Sequence, residues 1–173
     1  MAYSGNQTYI PVLLEYLRFQ AQEEGIINMT PFLSRLKDNV PAEELMLPEG
    51  VGRCLDLMGL TPAEEFRLPE YVVGSLVLRG LTSPEGLKLP EDVGWSLDLG
   101  GLTTAEGLKL PEHVGGDLSL GGLTTAEGLK LPLHVGGDIY LWSLDEDEYD
   151  QEVHGPRELG GKVHFSNPRS NRN

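Results

Sequence analysis

Three side chains that ligate metals or move protons, Asp92, His113 and His134, follow one another at intervals of 21 residues. A chain that repeats with this period stacks them, and such a column can converge on one ion with ligand atoms at about 2.0 to 2.2 Å. Histidines stacked at a solvated corner produce the same spacing without an ion. The reading taken from sequence is therefore that neither a metal nor a cofactor is bound. Cys54, the single cysteine, has no histidine at a fixed offset in its own stretch of chain, so an activated thiolate is not expected. The glycines do not build a phosphate loop, because none separates a strand from a long helix whose N-terminus would add its amides. Thr61-x-x-Glu64, Thr82-x-x-Glu85, Thr103-x-x-Glu106 and Thr124-x-x-Glu127 have capping-box spacing, which makes those glutamates structural first. No catalytic residue emerges, and an enzyme is not expected.

The elements that place these residues follow from the Leu-Pro dipeptides. Leu47, Leu68, Leu89, Leu110 and Leu131 each begin one, always 21 residues apart, and a fixed period without insertions marks a solenoid. With that leucine as position 1, positions 1, 5, 9, 11, 14 and 20 are apolar in nearly every copy, as in Leu110, Val114, Leu118, Leu120, Leu123 and Leu129. These columns are predicted to point inward, so Leu99 is inward and its neighbour Asp98 outward. Alternation at 9 and 11, and again at 20 and 1, predicts two short strands per coil, one Asp-Leu-Ser-Leu-like and one Gly-Leu-Lys-Leu-like, the second ended by prolines such as Pro111. The pairs Gly115-Gly116 and Gly121-Gly122 are predicted to turn corners at positive φ, and each Thr-x-x-Glu to cap a single helical or 3₁₀ turn.

The repeat LPEHVGGDLSLGGLTTAEGLK, written from Leu110, resembles the leucine-rich and LPX-type repeats of bacterial proteins through Leu-Pro and the core of Leu118, Leu120 and Leu123. Over about Leu47 to Ser143 it is similar to LP-x-x-V-G-G-x-L-x-L-x-G-L-T arrays of bacterial and phage-type proteins. The resemblance implies a stacked solenoid and carries over no catalytic residue. Where leucine-rich repeats place an asparagine ladder this chain has Leu60, Leu81, Leu102 and Leu123, which favours a compact β-helix over a horseshoe.

The fold class expected is a mainly β, single-domain β-solenoid. Residues 1–46 are read as a helical N-terminal cap with a partial repeat, 47–143 as five coils, and 144–173 as an acidic C-terminal cap and mobile tail. Val12, Leu13, Tyr16, Leu17 and Phe19 share a helical face within 11–22, and Thr30-Pro31 opens a second short helix. The segment Lys162 to Phe165 is expected to add a last strand covering Tyr140 and Trp142, with Ser166 to Asn173 mobile. The apolar stretch Tyr9 to Leu17 lacks a basic flank and contains Glu15, so it reads as neither a signal peptide nor a membrane span, and a cytoplasmic location is expected.

With 27 acidic and 13 basic residues the net charge is −14, which disfavours direct binding to nucleic acid. Columns that vary between copies are the better place for function. Position 10 reads Asp56, Val77, Asp98, Ser119, Tyr140, and position 12 reads Met58, Arg79, Gly100, Gly121, Trp142. At about 4.8 Å per coil they form a ridge long enough for a protein partner. Trp95 stands alone at position 7, and Glu70, Glu91 and Glu112 align at position 3. The partner-contact candidates are thus Glu70, Glu91, Glu112, Asp98, Trp95, Tyr140 and Trp142. They fit a non-catalytic module that places its acidic face in the basic groove of a nucleic-acid-binding protein, as an inhibitor or decoy of phage anti-defence type. A regulatory or effector-like scaffold using the aromatic face is the alternative, and a polysaccharide-active β-helix enzyme ranks third.

Overall fold

A computed structural model describes residues 26–28, 54–58, 68, 70–150 and 155–167. Over these the chain winds into a parallel β-solenoid of about five turns. The strands are β1 (Ile26–Asn28), β2 (Cys54–Asp56), β3 (Tyr71–Val72), β4 (Ser75–Val77), β5 (Asp92–Val93), β6 (Leu97–Asp98), β7 (His113–Val114), β8 (Leu118–Ser119), β9 (His134–Val135), β10 (Ile139–Asp145), β11 (Glu158–Leu159) and β12 (Val163–Asn167). They form two parallel sheets, one ordered β1-β2-β4-β6-β8-β10-β12 and the other β11-β9-β7-β5-β3. In the first, Leu55, Leu76, Leu97, Leu118 and Ile139 stand in register one coil apart, and Val163 continues the column.

Burial explains why the repeat must stack. Positions 5, 9, 11 and 14 are buried in every described coil, as in Val114, Leu118, Leu120 and Leu123, while Leu89, Leu110 and Leu131 at position 1 are partly buried against that core. A single coil cannot enclose these side chains, so each covers its neighbour. Ala105 and Ala126 at position 17 are also buried, small side chains filling the corner that sequence alone left unassigned.

The second strand of each coil is not where the leucine alternation put it. It occupies positions 4 and 5, as in His113–Val114, and the Gly-Leu-Lys-Leu segment forms none of the strands. The donors explain this. The Leu108 amide is spent within its own coil on Ala105 O (3.0 Å), and Pro111 has no amide to give. Proline therefore precedes the second strand rather than ending it.

The Thr-x-x-Glu segments also differ from expectation. In the three described ones, from Thr82, Thr103 and Thr124, no helical turn forms; Leu87, Leu108 and Leu129 donate to Pro84, Ala105 and Ala126 O across turns whose third residue, Gly86, Gly107 or Gly128, has φ of 72 to 77°. That is a type II turn, which demands glycine at this place. The glutamate amides are capped from two residues back, Glu106 by Thr104 Oγ1 and Glu127 by Thr125 Oγ1, each at 3.2 Å. Thr103 and Thr124 instead donate their hydroxyls to the carbonyl of the threonine one coil earlier.

Glycines at the other corners serve close approach, and among the described residues none of them has positive φ. A Cβ on Gly94, Gly115 or Gly136 would run into the backbone carbonyl of Val73, Gly94 or Gly115 below it. Position 8 adds a polar ladder. The Ser96 amide donates to Ser75 Oγ (3.3 Å), Asp117 to Ser96 Oγ (3.1 Å), Asp138 to Asp117 Oδ1 (2.8 Å) and Lys162 to Asp138 Oδ1 (2.8 Å).

At the ends, β1 pairs with β2 and lengthens the first sheet by a strand that sequence reading did not place, Ile26 lying opposite Cys54. The strand expected at Lys162 to Phe165 forms as β12 against β10, and it takes in Ser166 and Asn167, which had been assigned to the tail. The helices expected over 11–22 and from Thr30, the partial repeat at 41–46 and the tail beyond Asn167 lie outside the described residues.

Two comparisons test this packing. Gly107→Ala meets open space and pays only for its positive φ, about 1 kcal/mol, whereas Gly115→Ala meets backbone and should cost about 3 kcal/mol or more. Leu99→Asp buries an unpaired charge and should lose more than about 4 kcal/mol, against about 1 kcal/mol for Asp98→Ala. Urea midpoints of the four variants report both contrasts, and equal midpoints within either pair would contradict the assignment of faces.

Candidate functional site

Each sheet turns one face outward, and the candidate residues divide between them. On the β3-to-β11 sheet, Glu70, Glu91 and Glu112 immediately precede the strands and are exposed. Their backbones are tied coil to coil, the Glu91 amide donating to Glu70 O (3.0 Å) and the Glu112 amide to Glu91 O (3.1 Å). The side chains therefore rise in one line at the strand spacing of about 4.8 Å. Among the described residues neither Glu91 nor Glu112 forms a salt bridge with Lys88, Lys109 or Lys130. The line ends at Leu133, itself exposed, whose carbonyl accepts from the Arg157 amide.

Position 4 runs beside it as Tyr71, Asp92, His113, His134 and Glu158. His113 Nδ1 lies 3.0 Å from Asp92 Oδ1, and His134 Nδ1 lies 3.1 Å from Glu158 Oε2. The Asp92, His113 and His134 column does not close around a common point; among the described residues no group of three or more His, Cys, Asp or Glu is placed to hold an ion. Trp95 is 68% exposed at the bend between β5 and β6, one coil on from Tyr71 and Val73, which are 48% and 52% exposed. Its backbone takes part in the stack, donating to Gly74 O and accepting from the Gly116 amide.

The outward face of the other sheet is polar at its start and aromatic at its end. Asp98 is engaged on both oxygens, Oδ2 by Arg79 Nε (2.6 Å) and Oδ1 by the Gly100 amide (3.0 Å). Asp56 closes a similar turn on the Met58 amide. At the C-terminal end Tyr140 stacks on His164 with centroids 5.0 Å apart, and Trp142 lies 5.4 Å from Tyr140 and 5.8 Å from His164. Trp142 leans over Gly121, where a Cβ would meet its ring, yet stays 47% exposed.

His164 Nε2 donates to Asp138 Oδ2 (2.9 Å), so Asp138 links the position-8 ladder to the aromatic cluster. The Lys162 amide, then His164, hold the Asp138 carboxyl below the usual carboxylate range, while partial burial and the charges of Asp117 and Asp138 push the Tyr140 hydroxyl up. Nearby, burial raises the Tyr149 hydroxyl to about 12, its ring packing 5.4 Å from Phe165. Burial, then the charge of Asp56, raises the Cys54 thiol, which disfavours the reactive thiolate.

Sequence reading placed Tyr140 and Trp142 on one face but missed Asp138 and His164 as their partners. Their signal was the register of Lys162 to Phe165 on the repeat, which puts His164 at position 10. No helix among the described residues is long and apolar enough to cross a membrane. Comparison with known protein families, curated proteins and solved structures gave no match.

Because the folded state depresses the Asp138 carboxyl, its contribution to stability is present above the ordinary carboxylate range and is lost as pH falls through the lowered folded value. Asp138→Asn should therefore flatten the acid limb of a melting-temperature-versus-pH curve while leaving the aromatic cluster in place, as read by near-ultraviolet circular dichroism. An acid limb identical to that of the parent would show that Asp138 is not the coupled group.

Proposed function

We propose that this chain is a non-catalytic protein-binding solenoid whose acidic face occupies the basic groove of a nucleic-acid-binding protein. The observation that carries the reading is the line of Glu70, Glu91 and Glu112, held straight by the backbone ladder, exposed, and bare of lysine partners at Glu91 and Glu112. Regularly spaced carboxylates on a rigid edge offer a cationic groove what a phosphate backbone offers it. The repeat region from Leu47 to Ser143 contains 14 acidic and 6 basic residues, so the bias is distributed along the axis. On this reading the module is a cytoplasmic inhibitor of anti-defence type, anti-CRISPR among the possibilities, and its LPX-like repeat belongs with the bacterial and phage-type arrays it resembles.

A second reading rests on a different observation, the cluster of Tyr140, Trp142 and His164 with Trp142 exposed on a glycine floor. It makes the chain a regulatory scaffold that docks a partner through rigid aromatic anchors.

Charge reversal separates the two. With a partner captured from host lysate by the parent protein, Glu70→Lys, Glu91→Lys and Glu112→Lys together should slow association at least tenfold and remove most of its salt dependence. Trp142→Ala should leave the association rate nearly unchanged. An association rate unaffected by the triple reversal and by salt, with binding lost in Trp142→Ala, would replace the decoy with the aromatic scaffold.

A further inference from the structure

We propose that His113 and His134 form a two-histidine site for a divalent transition-metal ion on the outer face of the β3-to-β11 sheet. The two residues are direct partners on adjacent strands, β7 and β9. The carboxylates beside them lie in opposite directions along the stack, Asp92 Oδ1 in the preceding coil, 3.0 Å from His113 Nδ1, and Glu158 Oε2 in the following one, hydrogen-bonded to His134 Nδ1 (3.1 Å). In an imidazole, Nε2 lies on the edge away from Nδ1. The bond to Glu158 therefore turns the Nε2 edge of His134 toward the gap that separates it from His113.

An ionised carboxylate only accepts hydrogen bonds, so Glu158, bonded at 3.1 Å, keeps the ring hydrogen of His134 on Nδ1. That leaves the Nε2 of His134 with a lone pair, and a carboxylate behind a ligating imidazole is the usual support of a metal-bound histidine. Two imidazoles sharing an ion at about 2.0 to 2.1 Å place their centroids roughly 5 to 6 Å apart. The observed separation is 6.2 Å with a 38° tilt, just above that range. Both imidazoles are about half exposed, with side-chain accessibilities of 56% and 41%, and the next outward position in each coil is a glycine, Gly115 or Gly136, so the approach is open.

Glu158 thus supports a ligand rather than acting as one, and the expectation from sequence that the column holds no metal is set aside for this pair. Two nitrogen donors with the remaining positions open to water suit Cu²⁺, Ni²⁺ or Zn²⁺ rather than Mg²⁺ or Ca²⁺. The surrounding excess of carboxylates raises the local concentration of such a cation.

Calorimetric titration of the intact chain with Ni²⁺ and with Zn²⁺, alone in buffer, tests the site. The parent should bind one equivalent that His113→Gln plus His134→Gln abolishes, each single variant weakening it at least tenfold. Glu158→Gln should weaken it about tenfold, with the metal-free melting temperature unchanged. Electron paramagnetic resonance of the Cu²⁺-loaded parent should show coupling to two imidazole nitrogens, a readout that needs no variant. Coupling to one nitrogen or none, or a tight equivalent retained when both histidines are replaced, would overturn the proposal. Because Glu70, Glu91 and Glu112 take no part in the site, its failure would leave the acidic-face reading standing, and the reverse holds too.

Discussion

The closeness of successive coils at position 6 is the constraint on which the rest of the structure depends. There the carbonyl of one coil occupies the place where the next coil would keep a Cβ, as Gly94 does to Gly115 and Gly115 to Gly136. Only a residue without a side chain permits this approach while the amide of each glycine reaches the valine carbonyl of the preceding coil, Gly115 to Val93 and Gly136 to Val114, both at 2.9 Å. With that contact set, the two strands of each coil fall into register, and the apolar columns meet their copies at van der Waals distance. The outward columns are then straight as well. Glu70, Glu91 and Glu112 form a line, and His113 faces His134, because a slip of one residue would also turn the inward leucines and valines outward.

The inward columns were legible in the sequence because burial acts identically on every copy. Val114, Leu118, Leu120 and Leu123 recur with their type intact, and any arrangement that buried one would bury its equivalents. The second strand was not legible. Leu129 and Leu131 alternate as a strand would, but alternation reports only which side chains are buried, and the ladder is decided by which amides are free. A proline at position 2 and a turn that uses the amide at position 20 remove those donors, so the strand forms after the proline. The Thr-x-x-Glu spacing misled in a related way. It fits a helix cap, yet the glycine that follows, Gly107 in one coil, favours a type II turn that completes the corner in four residues.

Among the candidate contacts, Glu70, Glu91, Glu112, Trp95 and Trp142 are exposed, whereas Asp98 and Tyr140 are partly buried by bonding and stacking that sequence does not reveal. Asp98 varies between copies, as a contact residue would, and its carboxylate is already engaged by Arg79 and the Gly100 amide. Position 8, a column of small polar residues, is a chain of acceptors for the backbone of the next coil. The clue was composition: Ser75, Ser96, Asp117 and Asp138 all have an oxygen one or two bonds beyond Cβ, the short reach such a bond requires. Asp138 ends that series with a free second oxygen, which is why His164 finds a partner there and why the aromatic cluster forms at this end of the solenoid.

The position-8 ladder is directional, each coil accepting from its successor and donating to its predecessor, so every interior junction presents the same acceptor below and the same donor above. One further 21-residue unit spliced between two such coils would meet at both faces the neighbours it is shaped for. No loop would need refitting, and no new cap would be required. The molecule is in this respect a ruler with removable graduations: its end pieces stay constant while the span between them changes in steps of about 4.8 Å, and with it the length of the charged edge it can present to another surface.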